Sequence, residues 1–294
     1  MKRISVLFVG CGDLGARTGG RLHTLGWQTA AVRRNPSRLP AGFDTYAADY
    51  TTPGSLSFIA GLRPDYVVAT FNPADRSEAG YLAGFRGGMA NLLAGLGSHV
   101  PRHIIAVSST RVFAERQGGW VDEDSPLSRD DPLAGAIIAA EQMLLSAPHP
   151  ATIVRFAGIY GTPGGRLLAR VARGQLCEPT PVRYSNRIHR SDCAGFLAHV
   201  LQLAAAGQVL APVYVGVDND PAPRYEVERW LANELGVEPG ELSAQPDRGA
   251  TGHKRCRNTR MRQTGYQLEY PDFRTGYRAV MAARAAAGAG LDTP

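Results

Sequence analysis

The stretch that decides the fold is ISVLFVGCGDLG, residues 4–15. An apolar run precedes the glycines and an amphipathic segment follows them, a pattern that predicts a buried strand, a tight turn and the start of a helix. In such a turn Gly10 permits the sharp bend, Gly12 lets the backbone approach a pyrophosphate, and Gly15 lets the helix pack closely on the strand. The first free N–H groups of the helix then face the anion. We therefore predict a dinucleotide site formed by Gly10, Gly12, Asp13, Leu14 and Gly15.

The rest of the first half of the chain alternates between strand and helix patterns. Strands are predicted at 28–32, 45–48, 66–70, 103–107 and 151–156, and helices at 14–25, 74–96 and 131–147. A further helix start is predicted after Pro53. This alternation predicts the α/β class, with a doubly wound parallel Rossmann sheet and helices on both of its faces.

The pattern changes beyond Gly158 to turns rich in glycine and proline. This change predicts a smaller, interleaved C-terminal substrate-binding region, although residues 213–217 are apolar enough to return to the main sheet. We assign the Rossmann domain to 1–157 plus about 187–218, and the substrate region to 158–186 plus 219–294. From about Ala285 the chain has the character of a frayed tail.

The composition limits the class of protein. Of the 294 residues 44% are hydrophobic, yet no apolar run approaches the roughly 18 residues that a membrane span requires. The four cysteines lack the CxxC or paired-histidine spacing of a zinc site, and reduced intracellular thiols are the default. We therefore expect a cytoplasmic protein with no metal, no disulfide framework and no membrane partner.

The formal charge of +6 suits anionic ligands or nucleic acid. Basic residues gather between His253 and Arg262. Because no aromatic residue is interleaved with them in the sequence, a solvated basic face or a phosphate-contacting loop explains the cluster at least as well as nucleic acid does. We expect a small-molecule partner rather than nucleic acid.

Arg33 and Arg34 follow the second predicted strand, at the position that normally decides the choice of cofactor. An acidic residue there hydrogen-bonds the ribose 2′-OH of NAD, whereas arginine accommodates the 2′-phosphate of NADP. The pair therefore predicts NADP, with NAD as the alternative. Two solvated arginines are the other interpretation of the same residues.

Ser108, Ser109 and Thr110 stand at the carboxyl end of the fifth predicted strand. In open parallel sheets the ligand crevice lies outside the carboxyl ends of the strands, so these hydroxyls lie where chemistry can occur. Turn hydroxyls without a chemical role are the alternative that the sequence leaves open.

Five segments of the chain form an ordered set: Gly10 to Gly15, Val107 to Phe113, Asp122 to Pro126, Arg155 to Gly161 and Asn186 to Asp192. Together they resemble the extended short-chain dehydrogenase/reductases, the superfamily of NAD-dependent sugar-nucleotide epimerases and dehydratases. The likeness covers almost the whole chain and implies a Rossmann fold with an NAD(P) cofactor. The resemblance also predicts cofactor contacts at three further positions, Asp49, Asn72 and Ser108.

The resemblance also implies a catalytic set: a Ser or Thr after the fifth strand, and a Tyr and a Lys spaced YxxxK on the next helix. Ser109 matches the first member. Alignment places Leu133 and Ile137 at the other two positions, and neither side chain can transfer a proton. A register error does not explain the loss, because the only lysines in the chain are Lys2 and Lys254. The standard Tyr/Lys pair is absent.

Tyr160 and Tyr184 are the candidates for a substitute acid, because both occur in segments that border the substrate cleft in the family. Arg187 and His189 are suited to gripping an anionic group such as a phosphate. Each has an alternative: Tyr160 belongs to a common family segment, Tyr184 to a variable loop, and a structural role suits His189.

Two functions follow from the resemblance. The first is an NADP-preferring, oxidoreductase-like protein with altered or lost acid/base residues, acting on a small and anionic substrate. The second is a non-catalytic NADP-binding redox sensor or regulatory protein. The helices at 74–96 and 131–147 resemble those that pair in family dimers, which indicates a homodimer.

Overall fold

The computed structural model describes residues 3–240, 242–244 and 253–286. The strands are β1 (Ser5–Val9), β2 (Gln28–Arg33), β3 (Phe43–Ala47), β4 (Tyr66–Ala69), β5 (His103–Ser109), β6 (Trp120–Val121), β7 (Ala151–Phe156), β8 (Gly158–Tyr160), β9 (Tyr184–Ser185), β10 (Arg187–His189), β11 (Val213–Gly216), β12 (Ala222–Pro223) and β13 (Arg255–Cys256). The helices are α1 (Asp13–Thr24), α2 (Ile59–Leu62), α3 (Glu78–Tyr81), α4 (Gly88–Leu96), α5 (Pro132–Leu145), α6 (Arg166–Val171), α7 (Arg190–Ala205), α8 (Arg224–Leu235), α9 (Thr259–Gln263) and α10 (Phe273–Ala286). Within these described ranges, no helix combines the length and apolar character needed to cross a bilayer.

The main sheet is parallel. In the described part of the chain, seven strands form one sheet in the order β11-β7-β5-β4-β1-β2-β3. Strand β1 pairs parallel with β2 and with β4, and the β2–β3 and β4–β5 pairs are parallel as well. The strand order therefore reverses between β1 and β4, which is where open α/β sheets bind ligands. The predicted α/β class with a parallel Rossmann sheet is confirmed.

The first strand–turn–helix unit follows from its residues. Val6 to Val9 are buried, as expected of a central strand with a neighbour on each side. Helix α1 ends at Thr24, and Gly26 then adopts a φ of 84°, a left-handed conformation that glycine tolerates without strain.

The helix predicted at 74–96 is divided. Helix α3 passes into a π-helical segment, Leu82–Gly87, and then into α4. Gly84 packs against the preceding loop so closely that a Cβ there would lie 2.9 Å from the Cα of Pro73. Tertiary packing therefore decides a local geometry that composition alone does not distinguish from a continuous helix.

The helix predicted after Pro53 is reduced to the single turn of α2. Residues 51–58 form turns and a bend instead, and Gly54 has a φ of 77°, which a right-handed helix cannot contain. The boundary error arises because a proline at a first turn is as compatible with a turn as with a helix.

The chain divides into two compact units. Unit 1 takes its described residues from 1–112, 127–155 and 193–214, and unit 2 takes its described residues from 113–126, 156–192 and 215–294. The sequence-based division into 1–157 plus 187–218 and the remainder stays a prediction. The predicted tail lies outside the described residues beyond Ala286.

Unit 2 has a hydrophobic core of its own. Helices α6, α8 and α10 supply most of it, with Leu168, Val171, Val227, Leu231, Phe273 and Val280 buried. Short strand pairs accompany these helices: β8 with β10, β9 with β12, and β6 with β13. Because these elements come from segments far apart in the chain, no single stretch predicts the unit.

Candidate functional site

The glycine turn after β1 has the tight geometry that the motif predicts. Gly10 has a φ of 79°, and a Cβ there would lie 3.0 Å from Tyr50 Cε1 and 3.1 Å from the Thr70 carbonyl oxygen. A Cβ on Gly15 would lie 2.9 Å from Cys11 Sγ. Both glycines are therefore required by the packing of unit 1 itself.

Gly12 differs from its neighbours because a Cβ there would meet nothing within 4 Å. It precedes α1, and no side chain caps the N-terminus of that helix. The first N–H groups of a helix and its dipole favour an anion. An open approach over Gly12 and an uncapped helix N-terminus together make a cradle that fits a pyrophosphate.

Asp13 begins α1 and turns to the helix surface. Its carboxylate accepts hydrogen bonds from Arg17 Nε at 3.0 and 2.9 Å, one helical turn later. This ion pair is exposed, so Asp13 contributes little to stability. A role for Asp13 or Leu14 toward the dinucleotide would come from the backbone N–H groups of the first turn.

Arg33 ends β2 and Arg34 follows it as an exposed residue. Neither guanidinium has a carboxylate within ion-pair distance among the described residues. The Thr51 hydroxyl, with a smaller contribution from Arg34, lowers the pKa of Asp49. Among the predicted cofactor residues Arg33, Arg34 and Asp49, the two arginines are therefore cations that an anionic group can bind.

Asn72 follows β4 and is held by a tyrosine that sequence reasoning did not identify. Tyr50 Oη donates to the Asn72 carbonyl oxygen at 2.7 Å and accepts from the Asn72 N–H at 3.0 Å. The Tyr50 ring stacks on Phe71 with centroids 4.6 Å apart. No local motif marks Tyr50, since its role depends on contact between two loops.

Cys11 lies inside the glycine turn and is buried. Burial raises the pKa of its thiol to about 12, and Arg33 opposes this only in part. The thiol therefore stays protonated at neutral pH, which favours its role as a small packing residue over a reactive one.

Ser108 and Ser109 are the last two residues of β5, which is two residues longer than the predicted strand at 103–107. Their side chains have different surroundings. The Ser109 hydroxyl accepts the Arg111 N–H at 3.2 Å and is half-buried. The Ser108 hydroxyl is buried and donates to Glu141 Oε1 at 2.5 Å. The alternation of a strand thus directs Ser108 into the interior and leaves Ser109 at the predicted catalytic position.

Arg111 is held beside Ser109 by a carboxylate. Its Nε and Nη2 donate to the two oxygens of Asp131 at 2.8 and 3.0 Å. Asp131 also accepts the Leu133 N–H at 3.0 Å and caps α5. The guanidinium lies over the Tyr81 ring, 5.8 Å from its centroid. A fixed ion pair thus occupies the start of the helix that carries the YxxxK positions.

Ile137 packs inside unit 1, where only 2% of its surface is exposed. It lines a cavity of about 10 Å³ together with Ser108, Glu141 and Met89. Leu133, one turn earlier, is half-buried. The two residues that the sequence predicts at the Tyr/Lys positions therefore present apolar surface, and Ile137 is buried in the packing of unit 1.

Tyr160 points its hydroxyl into the interior of unit 2. The Tyr160 Oη is buried and has no hydrogen-bond partner, and the ring stacks on Tyr277 with centroids 4.6 Å apart. Burial, followed by the charge of Asp218, raises the pKa of Tyr160. These surroundings favour the packing alternative, because a phenol in this environment is a poor proton donor to an outside ligand.

Arg187 is also buried in unit 2. Its Nη2 donates to Ser185 Oγ at 2.6 Å, its guanidinium lies over the Phe273 ring at 5.2 Å, and its Nη1 is without a partner. A surface grip on a substrate requires more exposure than this. The assignment of Arg187 to the substrate stays a prediction.

His189 and Tyr184 differ in their settings. The buried His189 ring accepts the Ser191 N–H at Nδ1, 3.2 Å away, and lies 4.1 Å from the Tyr270 ring, which supports the structural alternative. Tyr184 is half-buried and its ring is nearly parallel to that of His253. The predicted cofactor residues all belong to unit 1, and the predicted substrate residues all belong to unit 2.

Comparison with solved structures decides the family. A protein from Methylobacillus flagellatus, named for the NAD-dependent epimerase/dehydratase family, is 33% identical to this chain, covers 97% of it and is itself covered to 100%, with a TM-score of 0.80. This chain belongs to the NAD-dependent epimerase/dehydratase family. No family model matches the chain, and no curated protein matches it in sequence.

Other solved structures, of lower identity, share the fold alone. The Bordetella bronchiseptica enzyme WbmG, in complex with NAD and UDP, is 17% identical over 99% of this chain and 98% of its own, with a TM-score of 0.80. The UDP-glucose 4-epimerase of Thermus thermophilus, in complex with NAD, is 18% identical over 96% of this chain and 99% of its own, with a TM-score of 0.79. These likenesses agree with the predicted Rossmann fold.

Proposed function

We propose that the chain binds a nicotinamide dinucleotide at the turn from Gly10 to Gly15. The observation that carries the proposal is the open position of Gly12, where a Cβ would meet nothing within 4 Å beside an uncapped helix N-terminus. Both of the distant fold relatives named above have NAD bound. When bound, the dinucleotide supplies hydride chemistry, and the protein contributes binding and orientation.

We propose NADP as the preferred cofactor. Arg33 and Arg34 support this choice because neither is paired with a carboxylate in the described part of the chain. A 2′-phosphate carries charge that a guanidinium recognises in bidentate geometry. Asp49, beside Arg34, belongs to the same proposed edge of the site.

The proposed activity is that of an oxidoreductase-like protein with altered or lost acid/base residues. Ser109 is the remaining hydroxyl of the family's catalytic set, and Leu133 and Ile137 supply packing instead of proton transfer. Loss of a general acid/base typically lowers a rate by about 10²- to 10⁴-fold, so slow turnover is compatible with this set. The proposed substrate is a small anionic molecule, and the proposed assembly is a homodimer in the cytoplasm.

A second candidate is a non-catalytic NADP-binding sensor or regulatory protein. The burial of Ile137 and the interior position of the Tyr160 hydroxyl support it, because neither offers a replacement for the missing pair. In this case cofactor binding would serve to change the surface presented to a partner.

Titration of the purified protein with NADPH and NADH, followed by nucleotide fluorescence, tests the proposal. We expect tighter binding of NADPH, and loss of the preference in Arg33→Gln with Arg34→Gln. Arg86→Gln, an exposed arginine on the π-helical segment, is the matched control for removal of charge. Equal affinities for both nucleotides would refute the NADP assignment, and absence of binding would refute the site.

Turnover separates the two candidates. A protein that binds NADPH yet neither oxidises it with a panel of carbonyl compounds nor reduces NADP with alcohols and sugar nucleotides is the sensor. Measurable turnover that disappears in Ser109→Ala, with cofactor affinity unchanged, supports the oxidoreductase.

A further inference from the structure

Unit 2 carries an exposed surface in which arginines and aromatic rings alternate. Strand β6 pairs parallel with β13, so that Arg255 lies beside Trp120 in the register. We call the surface formed by Trp120, Tyr184, His253, Arg255 and Arg257 the arginine–aromatic face. Its residues belong to unit 2, whereas the glycine turn belongs to unit 1.

The face is a continuous stack. The Arg255 guanidinium lies 4.9 Å from the Trp120 centroid and 4.7 Å from the Tyr184 centroid. The Arg257 guanidinium lies 4.9 Å from the Trp120 centroid. At the other end the rings of Tyr184 and His253 are 5.7 Å apart and within 8° of parallel. Such contacts hold the long arginine side chains in place and so reduce the entropy lost when they bind a ligand.

The guanidinium charges on this face are not neutralised. Arg255 Nε donates to the Gly118 carbonyl oxygen at 2.8 Å, and neither Arg255 nor Arg257 has an ion-pair partner among the described residues. Arg274 and Arg278 also lie over aromatic rings, but they are paired with Asp220 and Glu234 respectively.

Two further charged residues, Arg183 and Glu115, act on His253 at one end of the face. Burial and, second to it, the Arg183 charge lower the pKa of His253, so Arg183 adds positive charge nearby. Glu115, the acidic group close to His253, already accepts the Gln117 and Gly119 N–H groups at 2.6 and 3.1 Å. The face therefore carries a net positive charge next to accessible rings.

Accessibility distinguishes this stack from core packing. Trp120 has 46% of its surface exposed, and Arg257 is exposed as well. Lys254 and Cys256, on either side of Arg255, turn inward and are buried, as the alternation of a strand requires. Nearly half of the Trp120 indole is exposed to water. A ligand that stacks on the ring would bury this apolar surface, which favours binding.

We propose that the arginine–aromatic face binds single-stranded nucleic acid, with a base stacked on the exposed part of Trp120 and phosphates at Arg183, Arg255 and Arg257. Such proteins combine a positively charged track with aromatic platforms. The basic segment from His253 lacks interleaved aromatic residues in sequence, but the fold supplies them from positions 120 and 184. An open row of charges fits a strand with repeated phosphates better than a single small anion.

The test is fluorescence anisotropy of the full chain with a labelled oligouridylate and a labelled oligothymidylate. We expect binding to weaken as the salt concentration rises from about 50 to 200 mM. In the double variant Arg255→Gln with Arg257→Gln, the slope of log affinity against log salt concentration should fall in magnitude by about 1.4, because two phosphate contacts are lost. Trp120→Ala should weaken binding about tenfold or more, and Trp120→Phe, which keeps a ring, should retain most of it. Arg278→Gln, an arginine stacked on Trp230 and paired with Glu234, is the control and should leave binding unchanged.

Four results would overturn the proposal. The first three are absence of salt-dependent binding to either oligonucleotide, equal affinity for uridine monophosphate and the oligonucleotide, and Trp120→Ala binding as tightly as the parent. Thermal melting of each variant identifies any loss of folding. If Trp120→Ala does not fold, the binding of Trp120→Phe and of the double arginine variant tests the proposal instead. Displacement of the oligonucleotide by NADP would assign the binding to the glycine turn instead, so this test is independent of the proposed cofactor.

Discussion

Arg155 holds both carboxylate oxygens of Glu141, with Nε 3.1 Å from Oε1 and Nη2 2.7 Å from Oε2. The side chains are 5% and 4% exposed, and the Ser108 hydroxyl donates to the same Oε1. This buried network joins β5, α5 and β7, and so holds the end of β5 on which Ser109 stands. It is a structural feature that the glycine motif does not predict.

Removing one partner of this pair leaves an uncompensated buried charge. We expect Glu141→Gln to lower the free energy of unfolding by about 3–5 kcal/mol. The exposed pair Arg17–Asp13 provides the control, because Arg17→Gln should cost less than about 1 kcal/mol. Urea unfolding measures both, and equal midpoints for the two variants would contradict the buried-network interpretation.

Gly10 and Gly12 should respond differently to the same added methyl group. Gly10→Ala requires a positive φ and places a Cβ against Tyr50 and Thr70, so we expect loss of about 1–3 kcal/mol of stability. Gly12→Ala meets nothing within 4 Å and should melt like the parent, yet obstruct a pyrophosphate and weaken NADPH binding about tenfold or more. A Gly12→Ala variant with parental affinity would remove the main support for the dinucleotide site.

Tyr160→Phe removes a buried hydroxyl that has no partner. We expect stability to be unchanged or to rise by up to about 1 kcal/mol, because an unsatisfied polar group is costly to bury. Tyr214→Phe is the control: its Oη accepts the Ala211 N–H at 3.0 Å, so its loss should cost about 1 kcal/mol. A large loss of stability in Tyr160→Phe would indicate that the hydroxyl is bonded after all.

Burial raises the pKa of Asp218 to about 8, although the Arg187 charge opposes the shift. Because the folded pKa is above the unfolded value of about 3.9, the folded state binds the extra proton and the free energy of unfolding falls as pH rises from about 4 to 8. Asp218→Asn removes this contribution. The difference in melting temperature, variant minus parent, should therefore increase by at least about 2–4 °C as pH rises from about 4 to 8. Parallel melting curves for parent and variant at every pH would rule out the shift.

Ile137→Lys tests whether the helix accepts the family's lysine again. The position is 2% exposed, and Glu141 nearby is already paired with Arg155, so a buried ammonium should cost about 3–5 kcal/mol. Ile137→Met, which keeps volume and polarity, should cost less than about 1.5 kcal/mol. If the lysine variant is as stable as the methionine variant, the interior is more open to charge than its packing indicates.

The sequence alone predicted the features that depend on neighbouring residues. The glycine turn after β1, the strand–helix alternation and the helix that begins near residue 131 are all local patterns, and the fold class follows from them. The absence of a Tyr/Lys pair is a matter of composition, since Lys254 and Lys2 lie far from α5 in the chain. Such predictions need no knowledge of which distant segments meet.

Only the tertiary structure decided the features that depend on distant contacts. The division of the predicted helix at 74–96 reflects close packing at Gly84, and the burial of the Tyr160 hydroxyl depends on Tyr277. The alternation of Trp120 with Arg255 likewise joins segments separated by more than a hundred residues. Local propensity carries no information about such pairs, because contact between them arises from the folding of the whole chain.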